Sequence, residues 1–213
     1  MLLQLVKKDF LIVKKYVLLM FLVCLVIPPF MLWRVPQYAG AMGFVLSGIF
    51  ASFMLFQYSS MKECQYPKAA ALLCAAPYPR KYLVLSKYIF CLIIYVACCG
   101  IFWAETLVLP GLGGFHAVLP ALLFFVLAVF FGIYLPVQYK LGYEKTKFIF
   151  ILVIMATPFL LPQLLKLNHS AGPAPWSVVP APVLCGAAFL LGLALLAVSA
   201  LISIRLYART DLA

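Results

Sequence analysis

The sequence predicts an all-α membrane protein: six transmembrane helices with both termini in the cytoplasm. Three observations lead there. The 213-residue chain is 67% hydrophobic and 10% charged, more apolar surface than a soluble domain of this size hides. Six apolar runs have the roughly 17–25 residues needed to cross a bilayer as helices, and they are too long for the 9–11 alternating residues of a barrel strand. The basic residues are sorted. Four precede the first run, five lie in the 58–87 connection, three in 140–147 and two in the tail, whereas the alternate set of connections holds only Arg34 and Lys166. Basic flanks stay on the cytoplasmic side, which places both termini there. Aromatic placement agrees, with Trp33, Trp103 and Trp176 at the outer boundary and Tyr16, Tyr58, Tyr88, Tyr139 and Tyr207 at the inner one.

Residues 1–15 read as a basic amphipathic helix. Leu3, Val6, Phe10 and Val13 share one face, while Gln4, Lys7, Lys8, Lys14 and Lys15 share the other, with Leu11 on the polar face and Asp9 on a flank. Such a helix lies along the membrane with its lysines toward anionic lipid head groups; the alternative is a plain positive flank for the first span. That span covers 16–33. It exceeds a signal-peptide core, and Arg34 stands before the cleavage-like Ala39-Gly40-Ala41. Pro28 and Pro29 are expected to kink its outer end. The second span, 40–57, carries Gly43, Ser47, Gly48 and Ser52. These small residues permit close helix approach, either within the chain or at a dimer face.

The 58–87 connection is the longest stretch unlike membrane, and it reads as a cytoplasmic loop placed to touch a partner. Within it, residues 68–76 (K-A-A-A-L-L-C-A-A) favour a short helix that Pro77 and Pro79 end. A helix this short needs something to hold it. The third span is 88–109. Glu105 near its outer end is an ionisable group inside a span, hence a candidate for substrate contact, unless its side chain reaches water. The fourth span is 117–139, followed by a shorter cytoplasmic loop, 140–147. The fifth, 148–165, is interrupted by Pro158 and Pro162; the outer segment 166–182 contains the sequon-like Asn168-His169-Ser170; the sixth span is 183–204.

Much chemistry is excluded. A net charge of +11 would point to nucleic acid in a soluble chain, but here the charge lies between spans, and no nucleic-acid partner is expected. The seven cysteines lack C-x-x-C spacing and read as small apolar residues in a reducing setting. There is no H-E-x-x-H, no G-x-S-x-G and no Walker motif. His116 and His169 are far apart, so no metal is expected. With five acidic residues in the whole chain, paired-carboxylate catalysis is not supported, and the chain is not expected to be an enzyme by itself.

Three stretches carry a family likeness: L-V-K-K-D-F near the N-terminus; Glu63 followed by A-L-L-C-A-A-P-Y-P-R-K-Y-L-V-L-S-K over 71–87; and L-P-V-Q-Y-K-L-G-Y-E-K-T-K over 135–147. In these the chain resembles the six-span permease subunits of type-2 ABC transporters, the bacterial exporter class. It departs from the family pattern at Tyr66-Pro67-Lys68. The resemblance implies a multi-pass permease of the bacterial cell membrane, working as a dimer with a second copy or paralogue. A separate ATPase would carry ATP and Mg2+, and this chain would hold no cofactor. The 68–76 segment becomes a coupling helix seated on that ATPase, with Lys68, Leu72 and Leu73 in contact and Glu63, Arg80 and Lys81 as ion-pair partners. Tyr143, Glu144 and Lys145 offer a second cytoplasmic contact. Cargo, hydrophobic or amphipathic, would pass between the two permeases along spans two and five, with Glu105 on the path. The competing readings are a non-transporting scaffold or immunity protein of the same fold, a secondary transporter, and an intramembrane enzyme.

Overall fold

The computed structural model describes residues 2–34, 39–66, 80–112, 118–148, 151–152, 155, 163 and 181–209. These form five long helices: α1 (Leu2–Arg34), α2 (Ala39–Gln65), α3 (Arg80–Val108), α4 (Val118–Leu141) and α5 (Ala181–Arg209), with a single 3-10 turn at Pro110–Leu112. Among the described residues there is no strand. All five helices are long and apolar enough to cross a membrane.

The helices are longer than the spans expected of them, because apolar stretch and helix are different quantities. The 1–15 segment and the first span form one unbroken helix of 33 residues, about 50 Å at 1.5 Å per residue. That exceeds a ~30 Å hydrocarbon layer, so part of α1 projects beyond it. Pro28 and Pro29 lie inside α1, and the helix continues to Arg34. α2 runs eight residues past Gln57, and α3 begins eight residues before Tyr88; both add polar helical turns that hydropathy assigns to loop. The 68–76 helix and most of the fifth span fall outside the described residues.

Side-chain contacts fix the helix directions. Pairs Lys8–Glu63 and Tyr16–Tyr58 set α1 against α2 antiparallel. Phe10–Phe90 and Cys24–Cys98 set α1 and α3 parallel. Phe56–Phe131 and Gln57–Tyr134 run α4 along α2. Phe124–Phe189 and Tyr139–Tyr207 run α5 parallel to α4. Most of the connection between these two parallel helices, 142–180, lies outside the described residues. The same directions put the start of α1 and the end of α5 at one end of the bundle. Among the described residues every Lys and Arg except Arg34 belongs to that end, called here the basic end.

Packing uses the small residues of α2. Gly43, Ser47, Gly48 and Ser52 are all buried within the chain. A Cβ at Gly43 would lie 2.9 Å from the backbone of Pro28, and one at Gly48 2.8 Å from Leu123. These residues thus serve contact of α2 with α1 and α4. An aromatic layer of Phe53, Phe56, Phe130, Phe131 and Tyr134 fills the α2–α4 interface. Tyrosines expected at one membrane boundary meet in pairs, Tyr16 with Tyr58 and Tyr139 with Tyr207. The outward faces of α1 and α5 expose Leu18, Leu22, Leu25, Leu191, Val198 and Leu201, as lipid-facing helices do.

The Cys24 and Cys98 sulfurs lie 3.7 Å apart as free thiols in the α1–α3 contact. In a variant retaining only these two cysteines and carrying a protease site within 67–79, copper-phenanthroline is expected to keep the cleaved halves joined on a non-reducing gel. Halves that separate despite oxidation would contradict the parallel α1–α3 packing.

Candidate functional site

The chemistry-bearing groups gather at the basic end, where α1, α2 and α3 meet at the two roots of the 67–79 connection. Four charged side chains form a closed set. The Lys87 ammonium lies 2.8 Å from the Glu63 carboxylate and 3.3 Å from that of Asp9, and the Lys8 ammonium lies 3.2 Å from Glu63 and 3.3 Å from Asp9. Lys87 also donates to Ser59 Oγ at 2.9 Å. Two cations and two anions thus alternate around a ring that is formally neutral. Asp9 is fully buried and Lys87 nearly so, while Lys8 and Glu63 form the open side.

Each residue reaches the ring because a helix carries it there. Val6, Asp9 and Val13 lie on one face of α1, and all three are buried. The expectation that Asp9 sits on a flank is therefore corrected: helical spacing puts it with the valines, and a buried lysine on α3 makes that position tolerable. Ser59 and Glu63, one turn apart, lie on the same face of α2. Lys87 stands two turns into α3 and is the only one of the four that touches two other helices as well as a hydroxyl. Its ammonium has three protons, matching Asp9, Ser59 and Glu63. Among the described residues one Asp9 oxygen, Oδ2, has no hydrogen-bond partner; Lys87 and Lys8 both lie at the other.

The expected contact residues separate into three groups. Glu63 is engaged inside the chain. Arg80 opens α3, and Lys81 is exposed with its ammonium 5.8 Å from the Tyr82 ring centroid. Lys68, Leu72 and Leu73 fall outside the described residues. At the second expected contact, α4 stops at Gly142, whose φ of +82° suits glycine. Gly142 N–H donates to the Gln138 carbonyl, an αL cap. A new helical turn over 143–148 follows, fastened by the Thr146 hydroxyl, which donates to the Gly142 carbonyl at 2.7 Å. Glu144 and Lys145 are exposed on it and Tyr143 is half-buried. The G-Y-E-K run is therefore a deliberate change of direction that presents two charges at the basic end. Glu105 is far from both, near the opposite end of α3 and buried.

Deeper in the bundle the Tyr88 hydroxyl is within 2.7 Å of Ser199 Oγ and 3.0 Å of Ser203 Oγ, and Ser199 donates to the Gly132 carbonyl. This ties α3, α4 and α5 together one residue from Lys87. A gap beside it, between the same helices, measures about 20 Å³ and is walled by apolar side chains; it has room for one water and no larger ligand. Among the described residues no group of three or more His, Cys, Asp or Glu side chains is placed to hold a metal.

Sequence spacing would have located Asp9 through Val6 and Val13. Nothing in one sequence pairs it with Lys87, 78 residues away.

A family model described as ABC-2 family transporter protein matches residues 4–208. Comparison with curated proteins finds no match. Comparison with solved structures finds none.

Removing Lys87 leaves two carboxylates, Asp9 and Glu63, to share the single ammonium of Lys8. Lys87→Met is expected to lower stability by about 3–5 kcal/mol, the usual cost of breaking a buried pair from one side. The double variant Asp9→Asn/Lys87→Met is expected to regain part of that loss. Unfolding by SDS titration in mixed micelles measures both; a single variant as stable as the wild type would contradict the ring.

Proposed function

The chain belongs to the ABC-2 family of transporter proteins, a multi-pass membrane component of transport, and from that premise we propose that it is the permease subunit of an ATP-driven exporter. ATP and Mg2+ would be held by a separate ATPase subunit, and two permeases, identical or paralogous, would complete the unit. The basic end would face the cytoplasm, which the distribution of lysine and arginine supports. Cargo would be hydrophobic or amphipathic and would move between the two permeases, consistent with the apolar character of the helices.

The observation that carries this reading, beside the family, is the bracing of the 67–79 connection. An ATPase that closes on nucleotide moves helices only through a stiff link. The described roots of this connection are tied together: α2 carries Glu63 two residues before its end, α3 begins at Arg80, and Lys87 binds Glu63 on α2 and Asp9 on α1. A push on the connection would therefore reach α1, α2 and α3 as one body. Within the connection, 68–76 would be the coupling helix, with Lys68, Leu72 and Leu73 seated on the ATPase. Arg80 and Lys81 remain candidate ionic contacts with it, and Tyr143, Glu144 and Lys145 a second contact. Glu63 has a different part in this proposal: it closes the brace rather than pairing with the ATPase. The start of α1, with Lys7, Lys14 and Lys15 exposed, would rest against anionic head groups.

Replacing Leu72 and Leu73 together by Asp is expected to leave the protein in the membrane and ATP hydrolysis in progress while transport falls at least tenfold. Efflux from vesicles containing both subunits measures it, and undiminished transport would overturn the coupling assignment. Gentle detergent extraction is expected to bring down an ATPase in stoichiometric amount; its absence would overturn the transporter reading itself.

A further inference from the structure

Of the four acidic residues within the described part of the chain, Asp9 and Glu63 face lysines and Glu144 is exposed. Glu105 differs. It is 8% exposed, and among the described residues neither carboxylate oxygen has a hydrogen-bond partner. A carboxylate taken out of water without a donor or a cation is strongly disfavoured, and an acid retained inside a span marks a ligand or ion route more often than a packing role.

Its position is well defined. Cys98, Phe102 and Glu105 follow one face of α3 at four- and three-residue spacing. Cys98 meets Cys24 of α1 and Phe102 stacks near Phe44 of α2, ring centroids 4.5 Å apart. Glu105 therefore continues the seam where α3 meets α1 and α2. The 3-10 turn Pro110–Leu112 closes that seam from the end opposite the basic ring. Gly111 packs toward Leu32 of α1, and the Leu112 carbonyl stands against Gly40 of α2. The described cation of this end, Arg34, does not serve the carboxylate: its guanidinium lies 5.2 Å from the Trp33 ring centroid and 6.0 Å from that of Phe30.

We propose that Glu105 is a cation-accepting site for cargo, binding the positively charged group of a lipophilic organic cation at the seam of α1, α2 and α3. The chemistry is complementary. The carboxylate supplies the charge, and the apolar walls of the seam, Phe102 and Phe44 among them, accept the hydrophobic part. The short turn above the site is the element that would shift to admit the ligand. The word cargo rests on the transporter reading; the site itself does not.

The test uses the full chain in nanodiscs without an ATPase, and fluorescence polarisation of rhodamine 6G, a lipophilic monovalent cation, beside a neutral BODIPY dye of similar size. Saturable rhodamine 6G binding is expected, weakened at least tenfold by Glu105→Gln and largely kept by Glu105→Asp, with neutral-dye binding unchanged in all three proteins. Equal rhodamine 6G binding by wild type and Glu105→Gln would overturn the proposal. So would parallel loss of both dyes, which marks a structural role, or the lack of saturable rhodamine 6G binding by the wild type, which leaves Glu105 a buried protonated acid. A chain that binds the cation at Glu105 but never moves it with any ATPase would sink the exporter reading and leave the site standing.

Discussion

The structure depends on one buried lysine. Lys87 sits two turns inside α3 with its ammonium within reach of Asp9 on α1, Glu63 on α2 and the Ser59 hydroxyl. None of these partners is stable in its place alone: a buried Asp or a buried Lys is costly without its counter-ion. The ring links α1, α2 and α3 at fixed positions along their lengths, Asp9, Ser59, Glu63 and Lys87. The apolar contacts of α1 with α2 and α3 slide more easily, since lipid solvates an apolar helix face as well as another helix does.

This constraint lies where an external drive would arrive. The connection 67–79 leaves α2 two residues after Gln65 and enters α3 at Arg80, and the ring clamps those two helices just inside its roots. α4 and α5 join the same body through Tyr88, Ser199 and Gly132, next door to Lys87. The bundle thus has an ion-paired basic end and, at the other, a three-residue turn packed near Glu105, which has no hydrogen-bond partner among the described residues.

The helical, multi-pass character was legible in the sequence because hydropathy is a one-dimensional signal. Helix ends were less legible: Lys62, Glu63, Arg80 and Lys81 read as loop yet stand on helices, since polar turns outside the hydrocarbon layer carry no hydropathy signal. Glu63 reads in the sequence as an ion-pair partner for another protein, whereas in the structure it pairs with Lys8 and Lys87 of its own chain. Lys87 looked like one more basic flank, and Asp9 like an imperfection in an amphipathic pattern. Their pairing is a contact between residues 78 apart, and a single sequence records no such contact. Gly142, read as part of a family motif, has its reason in the left-handed turn that ends α4.

The central claim is that the two roots of the connection and the start of α1 move as one body held by Lys87. Spin labels at Leu11 on α1 and Leu85 on α3, both exposed, report it directly through a double electron–electron resonance distance in the assembled transporter. The account predicts one narrow distance that is the same with and without ATP, and a broadened or shifted one in Lys87→Met. A wild-type distance that changes with nucleotide, or a Lys87→Met distribution indistinguishable from wild type, would contradict it.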